Sequence, residues 1–211
     1  MTTRKLTVVT AGLSRPSSTR MLADRLSEAA SAHLRDHDLV PEIEVIEVRD
    51  HAHDLADHLL TGFPSAELRK AIDTATGADG LIVVTPIFTA SYSGLFKSFF
   101  DVLEPDSLAG KPVLIGATGG TARHSLVLEH AVRPLFAYLR SVVVPTAVYA
   151  ASEDWGTGRA PGGSLSDRAD RAAGELADLL VRATPVTATD PYENPTPFDQ
   201  LLAGGPLAGV A

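Results

Sequence analysis

The chain has no cysteine in its 211 residues. That absence excludes disulfides, thiolate zinc sites, iron–sulfur clusters and thiol catalysis, and it accords with a reducing cytoplasm. Long apolar runs are missing too, so none is expected to cross a bilayer. The stretch Met1 to Leu13 faintly imitates a signal peptide, but its apolar part is short, broken by threonines and followed by no Ala-x-Ala site. A cytoplasmic location is therefore expected. Positive charge is scarce: 18 Lys and Arg against 26 Asp and Glu leave a net charge of −8, which argues against a sequence-independent nucleic-acid surface. There is no Gly-x-Gly-x-x-Gly and no P-loop lysine, which sets aside ordinary dinucleotide and nucleoside triphosphate motifs. Gly-x-Ser-x-Gly is also missing, since Gly12-Leu13-Ser14-Arg15-Pro16 and Gly162-Gly163-Ser164-Leu165-Ser166 both lack the last glycine.

What is present is a 45% hydrophobic chain, enough for one domain with a sizeable core. Five apolar, β-branched runs read as strands: Lys5 to Thr10, Pro41 to Val48, Asp79 to Thr85 (stopped by Pro86), Pro112 to Ala117, and Val142 to Tyr149, an edge interrupted by Pro145. Helical spacing between them places Leu22, Leu26, Ala29, Ala30 and His33 on one helix face and Leu68, Ile72 and Ala75 on another, the latter capped by Ser65. A short helix is expected within Asp50 to Phe63, and another from Leu95 to Leu103. A longer one carries Leu128, Ala131, Val132, Leu135, Phe136 and Leu139, bent by Pro134; a last runs from about Leu165 to Ala183. Near-continuous apolar strands alternating with helices predict an α/β fold: a flavodoxin-like three-layer sandwich with a five-stranded parallel sheet of order 2-1-3-4-5. Residues 184–211 carry five prolines and several glycines and read as a C-terminal tail after a domain over 1–183; docking through Tyr192, Phe198, Leu201 and Leu202 is one reading of it.

In that strand order the loops after strands one, three and four converge on one crevice. The first, with Ser14, Arg15, Ser17, Ser18 and Thr19, precedes a helix start. Hydroxyls, N–H groups and one guanidinium there suit a phosphate monoester such as that of FMN, although such loops also serve as plain caps. The second loop runs from Thr85 to Gly94. Pro86, Ile87 and Phe88 can wall a flavin ring, and the N–H groups near Phe88 and Thr89 can meet its edge; capping by Ser91 or Ser93 with the aromatics in the core is the plainer alternative. The third, Thr118-Gly119-Gly120-Thr121, lets backbone approach a ligand and donate to the pyrimidine side of a flavin, or is simply a turn.

The stretches Gly12 to Arg20, Thr85 to Lys97 and Ala117 to His124 resemble the NAD(P)H-dependent FMN reductase family, and within it actinobacterial members that supply reduced flavin to luciferase-like monooxygenases. The similarity spans about Met1 to Ala183. It implies FMN as cofactor, NADPH or NADH as hydride donor, and a homodimer or tetramer. It also implies FMN contacts from the first stretch (phosphate), the second (ring and ribityl) and Thr118 to Thr121 (pyrimidine end). No catalytic residue is expected, because hydride passes between the cofactors themselves. Arg15, Arg20 and Arg123 are candidates for the 2′-phosphate of NADPH, against a default of solvated surface arginines.

Rival readings are a flavodoxin-type electron carrier and a quinone, azo or metal-ion reductase. No metal site is expected: His51, His53 and His58 beside Asp50, Asp54 and Asp57 read as a polar helix face. His124 is read as a turn cap or a nicotinamide contact, and Lys97 with Asp101 as an intrahelical pair. Phe99, Phe100, Leu103, Leu135, Phe136 and Tyr138 exceed what one core is expected to hold, which predicts that their two helices pair with a second subunit.

Overall fold

The computed structural model describes residues 2–156 and 163–183. The segment 184–211, with the expectation placed on its aromatic and leucine residues, lies outside the described residues.

Strand β1 (Thr2–Thr10) begins at Thr2 rather than Lys5. Arg4 is buried in it, and its guanidinium donates to the carbonyls of Leu180 and Ala183 at 3.0 and 2.9 Å. Strand β2 (Leu39–Glu47) pairs parallel with one side of β1, from Thr2↔Leu39 to Thr10↔Glu47. Strand β3 (Gly80–Phe88) pairs parallel with the other side, and β5 (Pro112–Gly119) lies parallel beyond it. The fifth position holds two short parallel strands in line, β6 (Val142–Val143) and β7 (Val148–Ala151), both paired with β5. Pro145 stands between them and supplies no ladder N–H, so the run expected from Val142 to Tyr149 is split there. The positional order is 2-1-3-4-5.

One antiparallel piece departs from expectation. Strand β3 does not stop at Pro86 but continues to Phe88, because β4 (Ser91–Tyr92) folds back on it with Ile87↔Tyr92 and Phe88↔Ser91.

Alternation along the strands sends side chains to two cores. Leu6, Val8, Ile82, Val84 and Leu114 meet α1 (Ser18–Asp36) and α6 (Leu165–Arg182) on one face. Val9, Leu81, Val83, Val113 and Ile115 meet α2 (Ala52–Thr61), α3 (Ala66–Thr76), α4 (Gly94–Asp101) and α5 (Arg133–Tyr138) on the other. Serine caps begin four of the helices: the Oγ atoms of Ser17, Ser65, Ser93 and Ser164 accept from the N–H groups of Arg20, Leu68, Phe96 and Asp167 at 3.1–3.2 Å. Leu55 of α2 is turned into the core while His53 and Asp57 are exposed, so the histidine–aspartate stretch is helical with these polar side chains outward, and Leu59 and Leu60 at its end are exposed as well. Lys97 and Asp101 pair one turn apart on α4.

Two expectations need correcting. The helix containing Pro134 is not simply bent. Leu128–Val132 is a π turn, in which the Arg133 N–H reaches back to the Leu128 carbonyl before α5 begins. Pro134 has no N–H to offer the carbonyl four residues back, and the widened turn precedes that gap. Second, the aromatic residues of α4 and α5 are not more than one core can hold. Phe96, Phe99, Phe100 and Phe136 are at most 2% exposed within this chain. Phe100 sits with its ring centroid 4.8 Å from Phe96 and 4.9 Å from Phe136. Only Tyr138, of the residues named for that interface, projects fully.

Candidate active site at the C-terminal edge of the sheet

Parallel strands end on a common edge, and in an open α/β sheet the loops leaving that edge frame the ligand crevice. Here Leu13, Ser14, Ser18 and Thr19 come from the loop and helix start after β1, and Pro86, Ile87 and Phe88 from the end of β3. Thr118, Gly119 and Gly120 follow from the end of β5, and Ser152 from the turn after β7. Together they line a crevice of about 340 Å³, a size within the range of small-molecule sites. None of these eleven side chains is ionisable.

The first loop turns tightly at Gly12. A Cβ there would lie 2.0 Å from Ser17 Oγ and 3.0 Å from Thr19 Cβ, so any side chain would push the loop off the helix start. Thr19 and Thr118 are buried, and their hydroxyls meet at 2.9 Å, tying the first loop to the third. Thr10, at the end of β1 and 2% exposed, has a hydroxyl with no hydrogen-bond partner among the described residues. The N–H groups of Ser18 and Thr19 open α1, and first-turn donors have no acceptor within their own helix. Ser17 is placed differently: its hydroxyl caps α1 and it is not part of the crevice wall.

Arg15 also stands outside that wall, with its side chain 76% exposed and a nitrogen 3.6 Å from Asp50 Oδ1. The loop is held from behind by Arg49, which donates to the Ser14 carbonyl at 2.9 Å and pairs with Glu47. Arg20 pairs with Asp24 at 2.7 Å and with Glu47 at 2.6 Å; the bond to Asp24 first, then that to Glu47, pushes the Arg20 pKa above its ordinary value.

In the second loop Thr85 Oγ1 donates to the Pro86 carbonyl at 3.0 Å and accepts from Ser93 N–H at 3.1 Å, locking the hairpin to the start of α4. Thr89 and Ala90 both have positive φ, +48° and +67°, the left-handed pair that a two-residue hairpin turn requires. This swings Thr89 away from the crevice and leaves Phe88, 46% exposed, on its rim.

In the third loop a Cβ on Gly119 would lie 2.1 Å from the Tyr149 hydroxyl, whereas one on Gly120 would meet open space. Tyr149 donates to the Thr121 carbonyl at 2.9 Å, which anchors the loop's exit and keeps Thr121 itself out of the wall. Burial, with Asp154 nearby, raises the Tyr149 phenol above its ordinary pKa of 10.0.

Of the thirteen residues singled out from sequence, the structure brings nine to one crevice and leaves Arg15, Ser17, Thr89 and Thr121 beside it. Sequence reasoning missed Leu13, Ser152, Tyr149 and Arg49. Ser152 and Tyr149 act through the fifth strand position, which carries no motif. Arg49 acts because β2 ends beside β1, where Thr10 pairs with Glu47.

An uncharged crevice at the point where strand order reverses, rimmed by a helix start and a glycine turn, defines a flavodoxin-like nucleotide-binding protein. The model of the NADPH-dependent FMN reductase family matches residues 4–156. An FMN reductase (NADPH) of Pseudomonas aeruginosa is 38% identical over 176 residues, covering 83% of this chain and 92% of that protein. The NADH-dependent FMN reductase SfnF of Pseudomonas fluorescens is 36% identical over 176 residues, 83% and 91% of the two chains. The X-ray structure of an oxidoreductase from Corynebacterium diphtheriae superposes with a TM-score of 0.82 at 46% identity, over 87% of this chain and 100% of the other. The chain therefore belongs to the NADPH-dependent FMN reductase family. It is an oxidoreductase that reduces FMN with hydride from NAD(P)H. No helix among the described residues is long and apolar enough to cross a membrane.

Proposed function

We propose that the crevice between the three loops is where FMN is held and reduced, and that the product serves a flavin-dependent monooxygenase in the cytoplasm. The observation that carries this reading is the Thr19–Thr118 contact, which joins the helix start and the glycine turn into one continuous wall. The residues fit the cofactor. The free first-turn N–H groups of Ser18 and Thr19, with the hydroxyls of Ser14 and Ser18, suit a phosphate monoester at a helix start. Pro86, Ile87 and Phe88 supply a flat apolar flank, and Gly119 and Gly120 bring backbone donors close. The unpartnered Thr10 hydroxyl lies at the end of β1, just before the loop that precedes this wall. Arg15, Ser17, Thr89 and Thr121 support it from outside, Ser17 by capping α1 and Thr121 by anchoring the third loop.

Bound FMN supplies a ring that accepts hydride at N5. The chain's part is to align that ring, keep one face open and offer N–H groups where negative charge develops. With no ionisable side chain in the wall among the described residues, none of these side chains serves as acid or base. The reductase domain is residues 1–183. The active form is a homodimer or tetramer, supported by Leu60 and Phe63, which are 86% and 81% exposed at the end of α2.

The test is to mix purified protein with FMN and NADPH and follow the loss of nicotinamide absorbance together with flavin fluorescence. Turnover and quenching are expected; an inert protein that leaves the flavin fluorescence unchanged would overturn the reading. Gly120→Val places a side chain in open crevice space, so it should weaken FMN binding about tenfold or more at unchanged Tm.

A further inference from the structure

A second cavity, of about 330 Å³, is lined by residues of two of the segments that also line the crevice. It is lined by Ala90 of the hairpin turn, by Arg123, His124, Leu126 and Val127 after the glycine turn, and by His130 and Ala131 in the π turn. The two cavities share their supporting segments. Phe88 faces the crevice and Ala90 the second cavity; Gly120 faces the crevice and Arg123 the second cavity. Each segment crosses from one to the other within two or three residues, a backbone span of at most about 7–11 Å. That span is short enough for the two ends of one dinucleotide to reach both.

The chemistry of the second cavity is cationic, unlike that of the first. Arg123 has no ion pair or hydrogen bond to another described residue, and two imidazoles stand beside it. The other two arginines singled out from sequence for this task are already engaged, Arg15 lying near Asp50 and Arg20 held by Asp24 and Glu47. The carboxylate close by, Glu129, does not neutralise the cavity, because it is bound by Arg133 through two bonds of 2.6 and 2.9 Å. Leu126, 63% exposed, gives the wall an apolar side. A free guanidinium with imidazole donors suits a phosphate monoester, and an apolar side suits the nucleoside that carries it. In a chain of net charge −8, an uncompensated cationic pocket marks a place for an anion.

Building on the FMN reading above, we propose that this cavity receives the adenosine end of the hydride donor, with Arg123 meeting the 2′-phosphate, and so favours NADPH over NADH. The monoester carries close to two negative charges at neutral pH, more than either phosphate of the pyrophosphate bridge. The cavity shares no lining residue with the crevice, so the two ends of the donor would be recognised separately.

Two measurements test this. Calorimetric titration of the flavin-free protein with adenosine 2′,5′-bisphosphate and with 5′-AMP does not depend on turnover. The bisphosphate should bind at least about tenfold more tightly, and Arg123→Ala should abolish the difference. In the FMN assay the same variant should raise the ratio of KM for NADPH to KM for NADH by about tenfold, with Arg123→Lys in between. Arg35→Ala, at the far end of α1, should leave both readings as in the wild type. Equal binding of the two adenosine nucleotides, or an Arg123→Ala effect identical for NADPH and NADH, overturns the assignment. A protein that binds the bisphosphate selectively but never oxidises NADPH in the presence of FMN would sink the flavin reading alone.

Discussion

Tyr149 shows how one side chain sets the shape of a loop it does not belong to. Its hydroxyl fills the space where Gly119 has no Cβ and bonds to the Thr121 carbonyl. Tyr149→Phe should cost about 1 kcal/mol of stability, read as a fall in the denaturant midpoint at unchanged slope. The pH dependence follows from the same bond. Because burial raises the phenol above 10.0, the folded state favours the neutral form. That contribution is intact below the unfolded-state pKa and is lost as pH rises through the folded one. Wild type should thus lose stability relative to Tyr149→Phe in alkali, as checked by parallel melts across that range. At Gly119 itself, alanine places a methyl group 2.1 Å from the hydroxyl, so Gly119→Ala should destabilise the wild type more than it destabilises the Tyr149→Phe background.

At the scale of elements, the clearest forecast concerns α4 and α5. Phe136 is wholly buried and meets Phe96 and Phe100 edge to face, so Phe136→Ala should cost about 3–5 kcal/mol, measured by chemical denaturation. The strands and most helices were legible because their signals are local. Apolar β-branched runs, Ser65 and Ser93 ahead of helical spacing, and the proline in the fifth strand each act where they stand. Misreadings arose where distant partners decide. Pro86 reads as a stop until β4 is known to pair with the end of β3, and Phe99, Phe100 and Phe136 read as surplus until they are seen to fill one another's space. The site was legible in the same measure. Glycines and hydroxyls after strands announce the three loops, but which side chains face inward depends on loop conformation. The positive φ of Thr89 and the Arg15–Asp50 contact carry no sequence signature.

For the whole molecule, the inward packing of the aromatic cluster leaves Leu60 and Phe63, near the end of α2, among the most exposed large apolar side chains of the described residues. If Leu60 and Phe63 join copies, then Leu60→Asp with Phe63→Asp should yield a monomer by light scattering at micromolar concentration, while the melting transition of each subunit persists.

Among the described residues, the crevice wall contains no carboxylate, imidazole, amine or phenol. Such a surface can set distances and exclude water, but it has no protonation state to gain or lose. The chemical step should then run at one speed from mildly acidic to mildly alkaline buffer, apart from ionisations belonging to the nucleotides. A single-turnover profile with a break at the ordinary histidine pKa of about 6.5 would mean that an imidazole from outside the wall had entered the reaction. Any response to acidity should then enter through donor binding at the cavity of Arg123, His124 and His130, and not through the transfer of hydride itself.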